Sequence, residues 1–369
     1  MSGSDAPPGL VCPACDATYA PGSGESWRCD CGHPLEFDAA PLPDGPPPDP
    51  DDLDRDRGLW AFEAFLPVEP RVTLGEGFTP MVDAPAWDAT FKLDQIFPSG
   101  SFKDRGATAT LSRAAELGVE RVLEDSSGNA GAATAQYAAR AGIGAEIYVP
   151  AEAKVSKLRA IERAGADVVR VEGTMEDVSE ACITAVEAGE GWYASHAWNP
   201  AFFAGTATFG LEVAAQRGWD SPDAVVLPVG HGTLFLGAHR GFRALRDAGW
   251  IEDVPRLLGV QATGYAPFVG DGTGNDTPDA SNDIADGIHI THPARNAEIR
   301  EAIETTDGDM IAIDERRTRD SLDRLHRAGF YVEPTCAVAP AALERYRELG
   351  VLDPGADVVV GLSGSGLKY

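Results

Sequence analysis

Lysine is almost missing from this chain of 369 residues: only Lys92, Lys103, Lys154, Lys157 and Lys368 occur, and every other basic side chain is Arg. Positive charge is scarce altogether, with 30 basic against 58 acidic residues and a net charge of −28. A surface this acidic repels phosphate backbones and anionic lipid, which excludes nucleic acid and membrane surfaces as partners. No uninterrupted apolar stretch is long enough to cross a bilayer. Met1–Leu10 has neither a basic nor an apolar segment, so no secretory leader is expected and a cytoplasmic location is. Repeats of solenoid period and heptads are also absent. The acidic excess is spread along the chain. With abundant Asp and Arg in place of Lys, it fits a salt-rich interior, where screening removes self-repulsion. What is present is a hydrophobic content of 43%, ordinary for a globular protein, and length enough for two sizeable domains plus an appendage.

The few cysteines are clustered. Cys12, Cys15, Cys29 and Cys31 hold four of the six. Two close pairs across a short loop fit a tetrahedral thiolate zinc site, and in a cytosolic chain metal is favoured over disulfides. The second pair has a single intervening residue, a departure from the common knuckle, and His33 stands beside it as a substitute ligand. Unmetallated thiols in a flexible leader are the alternative. No open coordination position is implied, so the segment at 10–38 reads as a structural zinc-ribbon-like unit. Cys182 and Cys336 are isolated and read as small core residues. Residues 39–58 are rich in Pro and Asp and form a linker.

After Phe91–Asp94, short apolar runs alternate with Ala-rich helical patterns. Val119–Glu124, Ile143–Val149, Asp167–Val171, Trp192–Ala194, Ala224–Pro228, Leu257–Gln261 and Asp357–Leu362 read as strands. Ala130–Ala141, Ala153–Ala164, Met175–Glu187, Phe209–Gln216, Leu234–Asp247, Arg316–Ala328 and Ala337–Leu349 read as helices. The alternation predicts an α/β protein with parallel-rich sheets flanked by helices. Residues 264–295 are rich in Gly, Asp and Thr and read as a long surface loop.

One lysine is placed against electrostatic advantage. Pro98-Ser99-Gly100-Ser101-Phe102-Lys103-Asp104-Arg105-Gly106 is a Gly/Ser turn leading into an Ala-rich helix, which Ser99 or Ser101 can cap. Lys103 then sits in the first turn, where the macrodipole disfavours a cation. Either it is a solvated lysine at a helix end, or its amine must be partly neutral and nucleophilic, a task Arg cannot perform.

This lysine run resembles the lysine motif of the pyridoxal phosphate enzymes of the tryptophan synthase β-subunit fold type (fold type II), and most closely that of threonine synthases. Further motifs follow in order: Leu74–Pro80 with its Gly-Glu-Gly, Ser126-Ser127-Gly128-Asn129, a Gly-rich turn from Pro228 to Gly237, and Gly361–Lys368. Some relatives carry a similar Cys-rich N-terminal segment. The resemblance implies a two-domain fold. A smaller domain spans 93–205, and a larger one spans 59–92 and 206–369, with the cofactor between them. It implies that Lys103 holds the cofactor aldehyde and moves the α-proton, with Phe102 beside the ring. Asn129 then contacts the phenolic oxygen, and Ser126, Ser127 and Gly128 grip the substrate carboxylate.

The strand–turn–helix arrangement at 228–237 is one that binds phosphate, and the resemblance implies that the backbone N–H groups of Gly230, His231, Gly232, Thr233 and Leu234 take the cofactor phosphate. The resemblance also implies that Ser363 faces the pyridine nitrogen, where a neutral hydroxyl favours elimination and replacement over transamination. Asn129 can equally be a helix cap, His231 a turn residue and Ser363 part of a plain loop. The implied reaction is γ-elimination of phosphate from O-phospho-L-homoserine followed by water addition, by a homodimer. β-Elimination or β-replacement on serine, threonine or an activated serine is the rival. A non-catalytic zinc-ribbon interaction protein is the alternative outside enzymes. Gly205-Thr206-Ala207-Thr208 lacks the basic residue that threonine synthases commonly carry there. Lys154, Lys157 and Arg159 either compensate or form a solvated helix face.

Overall fold

The computed structural model describes residues 6–269 and 281–368. The N-terminal segment has three two-residue strands, β1 (Leu10–Val11), β2 (Thr18–Tyr19) and β3 (Glu36–Phe37), in the antiparallel order β2-β1-β3. Its buried hydrophobic residues are Leu10, Cys12, Cys29 and Leu35, too few to hold a fold without a cross-link. It is fastened to the body. Arg113, fully buried, donates to the Pro8 carbonyl at 2.6 Å and to Glu25 at 2.5 Å. Trp27 meets Tyr193 and Trp198 edge-on, with centroids 5.3 and 5.0 Å apart.

The linker over 39–58 is mostly exposed, yet it does not hang free. The indoles of Trp250 and Trp219 donate to the carbonyls of Gly45 and Pro48 at 3.0 and 2.7 Å. Leu59, Trp60, Phe62 and Phe65 then plunge into the core. Gly58 makes the corner at φ 59°, where a Cβ would lie 2.1 Å from the Glu76 carbonyl.

Next come β4 (Met81–Ala84), β5 (Ala89–Lys92) and α1 (Lys103–Glu116). A four-stranded unit follows: β6 (Arg121–Glu124), α2 (Asn129–Ala141), β7 (Gly144–Pro150), α3 (Val155–Arg163), β8 (Asp167–Val171), α4 (Met175–Glu187) and β9 (Trp192–Tyr193). Its order is β8-β7-β6-β9, all parallel. The remainder is α5 (Pro200–Gln216), β10 (Ala224–Pro228), α6 (Thr233–Asp247), β11 (Arg256–Ala262), α7 (Asn296–Thr305), β12 (Asp309–Ile313), α8 (Glu315–Arg327), α9 (Pro334–Glu348) and β13 (Val358–Gly361). With β4 and β5 these strands form a six-stranded sheet in the order β12-β11-β10-β13-β5-β4. Only its β4–β5 pairing is antiparallel. β10 and β13 are buried at every residue, which explains their unbroken apolar sequences: helices cover both faces.

The parallel-rich α/β expectation therefore holds, with local corrections. α5 begins at Pro200 rather than Phe209, because Pro takes the first helical position and the Asn199 side chain accepts from the Ala201 N–H. α7 and β12 went unread. Part of the expected 264–295 loop, 270–280, lies outside the described residues; the rest carries one short 3₁₀ turn, Asp286–Ile288. Among the described residues, no helix is long and apolar enough to cross a membrane. Cys182 and Cys336 are fully buried, as expected of core residues.

Candidate active site

The loop before α1 is sewn to the loop after β13. Phe102 N–H donates to the Ser363 carbonyl at 3.0 Å, and Ser365 N–H donates to Gly100 at 2.9 Å. No side chain caps α1, against the expectation from Ser99 and Ser101. Ser99 instead spends its backbone N–H and its hydroxyl on Asp104, and the buried Ser101 hydroxyl has no partner among the described residues.

Lys103 is the first residue of α1. It is half-buried, and its Nζ donates to Thr233 Oγ1 at 3.1 Å. The amine lies 4.8 Å from the centre of the Phe102 ring and 5.5 Å from that of Phe202. Gly106 admits Phe202, since a Cβ there would come within 2.3 Å of that ring. Burial pushes the amine down to about 7, while the carboxylates of Glu124 and Glu333 pull the other way. Near neutral pH the amine is thus partly free base, as nucleophilic chemistry requires.

The turn after β6 brings Ser126, Ser127, Gly128 and Asn129 to the carboxyl end of the four-stranded sheet. All four are half-buried. Ser126 Oγ accepts from Gly128 N–H at 3.3 Å. Gly131 allows the turn to close, because a Cβ would sit 1.9 Å from the Ser126 carbonyl. Asn129 opens α2 but is not its cap; Gly128 is. The Asn129 amide donates to Glu333 at 2.8 Å, and its oxygen accepts from Lys368 Nζ at 2.6 Å. Burial lowers the pKa of the Lys368 amine. Glu333 N–H in turn donates to the Gly364 carbonyl at 3.0 Å.

On the other side, β10 runs into Gly230-His231-Gly232 and then α6. Gly232 adopts φ 77°, and a Cβ there would strike Ile299 at 2.5 Å. α6 starts without a capping side chain and without an acidic residue in its first turn, so the N–H groups of Thr233 and Leu234 open a positive helix end. Among the described residues, the buried Nδ1 of His231 has no partner, and burial lowers the pKa of its imidazole. Ser363 is buried at the end of β13, with 3% of its surface exposed.

Contacts therefore link Lys103 to Thr233, its neighbour Phe102 to Ser363, and Asn129 through Glu333 to Gly364. Four polar residues here were not singled out from the sequence. Glu333 and Lys368 flank Asn129. Glu124, fully buried at the end of β6, holds His196: Nδ1 lies 2.7 Å from Oε1, and the His196 N–H donates to Oε2 at 3.2 Å. Burial drives Glu124 up to about 8 and His196 down to about 3. A carboxylate ending an apolar strand is the one signal that could have flagged Glu124.

Gly205, Thr206 and Thr208 are buried inside α5. The two threonine hydroxyls donate to the carbonyls of Phe203 and Gly205 at 3.2 and 2.6 Å. Lys154 and Arg159 are exposed at the start of and along α3; the Lys157 side chain lies outside the described residues.

In the N-terminal segment, the sulfurs of Cys12, Cys15, Cys29 and Cys31 all lie within 4.8 Å of one another. Cys12 and Cys31 are 3.6 Å apart and Cys15 and Cys29 3.4 Å, close to the edges of a thiolate tetrahedron about a 2.3 Å bond. His33 Nδ1 sits 3.4 Å from Cys31 Sγ, outside that cluster.

The family pattern described as pyridoxal-phosphate dependent enzyme matches residues 72–364. A threonine synthase of Methanocaldococcus jannaschii is 31% identical, covering 85% of this chain and 81% of its own. One from Synechocystis sp. is 32% identical, covering 85% and 83%. Among solved structures, maize serine racemase superposes with a TM-score of 0.69 at 22% identity, over 86% of this chain and 94% of that one. A processed threonine deaminase isoform 2 from Solanum lycopersicum gives 0.65 at 20% identity, over 79% and 84%. These two share the fold. With the site geometry above, the matches establish that the chain belongs to the family of pyridoxal-phosphate dependent enzymes.

Proposed function

We propose that the chain is a threonine synthase, converting O-phospho-L-homoserine and water to L-threonine and phosphate. The observation that carries this reading is the 31–32% identity to proteins of that name along 84–85% of the chain. Several features of the cleft fit the cofactor. Lys103 offers a depressed amine. Gly230 and Gly232, packed too closely on Ile288 and Ile299 for a side chain, form the turn before an uncapped helix start. His231 has an orphaned ring nitrogen. Ser363 is a neutral buried hydroxyl.

In this reading Lys103 attaches the cofactor aldehyde. The backbone N–H groups of Gly230, His231, Gly232, Thr233 and Leu234 hold its phosphate. Asn129 meets its phenolic oxygen, and Ser363 meets its ring nitrogen. Pyridoxal phosphate, when bound, stabilises negative charge on the substrate α-carbon. Ser126, Ser127 and Gly128 orient the substrate carboxylate at the start of α2. Lys103, with an amine near 7, takes and returns the α-proton. Phe102 and Phe202 exclude water from that amine.

The cleft lies between a smaller domain at 93–205 and a larger one formed by 59–92 and 206–369. Cys12, Cys15, Cys29 and Cys31 bind one structural zinc. The enzyme works as a cytoplasmic homodimer in a salt-rich interior.

A second reading, β-elimination or replacement on a hydroxyl-bearing or activated amino acid, is favoured by one observation: no basic residue stands at 205–208. Assaying phosphate release from O-phosphohomoserine beside 2-oxo acid release from threonine and serine separates the two. Phosphate with threonine is expected; absence of phosphate release ends the first reading. A protein that stays colourless when the cofactor is added would instead support the non-catalytic alternative.

A further inference from the structure

The mechanism above leaves one buried titratable pair unused. Glu124 is fully buried, and its carboxylate holds both the backbone N–H and the Nδ1 of His196. The His196 side chain is 11% exposed. Its Nε2 makes no hydrogen bond among the described residues.

The pair borders the cleft of Lys103. The His196 ring packs 6.0 Å from Phe202, whose ring lies 5.5 Å from the Lys103 amine. It also meets the edge of His231 at 5.2 Å, two residues before the threonine that binds Lys103. An elaborate hydrogen-bonded pair of this kind is costly to bury for packing alone.

Water addition at the β-carbon needs a base that Lys103 cannot supply, because its amine is committed to the α-proton. We propose that His196, oriented by Glu124, is the base that activates water in the addition half of the reaction. This rests on the threonine synthase reading. The water oxygen forms a bond to the β-carbon, and the electron pair of the substrate's α,β double bond moves to the α-carbon, which Lys103 then protonates. The water proton passes to His196 Nε2, and the Nδ1 proton shifts to Glu124. The pair thereby goes from anionic to neutral by taking up one proton.

The electrostatics agree with a pair that titrates as a unit. Burial raises Glu124 to about 8 and lowers His196 to about 3, so the neutral carboxyl–imidazole form is held below about 8 and the anionic, basic form above it. The charged and titratable groups facing it are Lys103 from α1, Asp125 just after β6, Cys182 from α4, Tyr193 from β9 and His231 from the turn before α6. Lys103 favours the anionic form and Asp125 opposes it.

If water is not activated, the unsaturated amino acid escapes and hydrolyses to 2-oxobutanoate and ammonia. The test is therefore the ratio of threonine to 2-oxobutanoate per phosphate released by the holoenzyme, which does not depend on how much active enzyme a preparation contains. His196→Gln and Glu124→Gln are expected to lower that ratio by about 100-fold. In the unsubstituted enzyme the ratio should rise with pH through about 8, and in Glu124→Gln it should be flat. A ratio within about twofold of the unsubstituted value in both variants overturns the proposal.

Nitrogen NMR of the His196 ring in ligand-free protein decides the pairing without turnover. The ring should stay neutral through mildly acidic pH and respond near pH 8, with that response lost in Glu124→Gln. An ordinary imidazole titration indifferent to Glu124→Gln overturns it. If the enzyme releases no phosphate at all, the substrate reading has failed, and the ring titration still reports whether the pair shares a proton.

Discussion

Lys92 is fully buried and Lys103 half-buried, and their amines are treated very differently. Lys92, at the end of β5, is fully buried and saturated: its Nζ donates to the Thr79 carbonyl at 2.7 Å, Glu212 at 2.8 Å and Gln216 at 2.7 Å. Arg105, also fully buried, completes that cluster with forked bonds to Asp94 and Glu212 between 2.6 and 2.9 Å. Around Lys103 the accounting is left open. Among the described residues its amine has a single hydroxyl partner, His231 Nδ1 has none, and Glu124 and Glu333 act on the amine through space. Burial depresses both amines, but only Lys92 meets a carboxylate in contact. The contrast separates a cluster that joins elements from one that is poised to react. Saturated buried charge holds a structure together; unsaturated buried charge marks a site awaiting a partner.

Breaking the saturated side should have the largest effect on stability. Arg105→Met leaves Asp94 and Glu212 buried without their guanidinium and should cost about 3–5 kcal/mol in denaturant unfolding. Lys103→Met should leave stability unchanged or raise it, because it removes an amine that burial penalises. Equal losses in both variants would erase the distinction.

Removing the N-terminal staple should matter less. Stripping metal with a chelator, or Cys12→Ser, should loosen the small segment and change the fluorescence of Trp27, which packs on Tyr193 and Trp198. One zinc per chain by metal analysis is expected before treatment.

Subtler still are the pH slopes of the ligand-free protein. Lys103 has a folded-state pKa of about 7 against an ordinary 10.5, so the unfolded chain binds more protons between those values and stability rises with pH across that window. Glu124, at about 8 against 4.5, has the opposite effect: the folded chain binds the extra proton and stability falls as pH rises from 4.5 to 8. Lys103→Met should flatten the first slope and Glu124→Gln the second. The smallest effect expected is a melting temperature that rises with molar KCl, as screening relieves a net charge of −28. A fall would count against a salt-rich home.

Much of the fold was legible because strands covered on both faces leave unbroken apolar runs. β10 and β13 are such runs, and the bounds read for β8, α4 and β10 match the structure. β12 carried a similar signal in Met310–Ile313 but went unread beside a long irregular stretch. α7 buries only Ile299 and Ala302, too thin a stripe to announce a helix. The lysine and the glycine turns were visible because each needs a rare residue at a fixed place.

The pairings around them were not visible. Glu124 and His196 are 72 residues apart, and Asn129 and Glu333 are 204 apart; nothing local in either sequence tells of the other. The serine cap failed for a related reason. Ser99 had a better acceptor in Asp104 than the helix end had to offer, and only the folded turn reveals that competition.

The central claim is that Lys103, and not the more deeply buried Lys92, is the residue that takes the cofactor. Reductive trapping of pyridoxal phosphate on the holoenzyme with borohydride, followed by peptide mapping, tests it directly. The account predicts the label on Lys103 and a protein that no longer retains label when Lys103 is replaced by Ala. Label on Lys92, Lys368 or any other amine, with Lys103 unmodified, would contradict it.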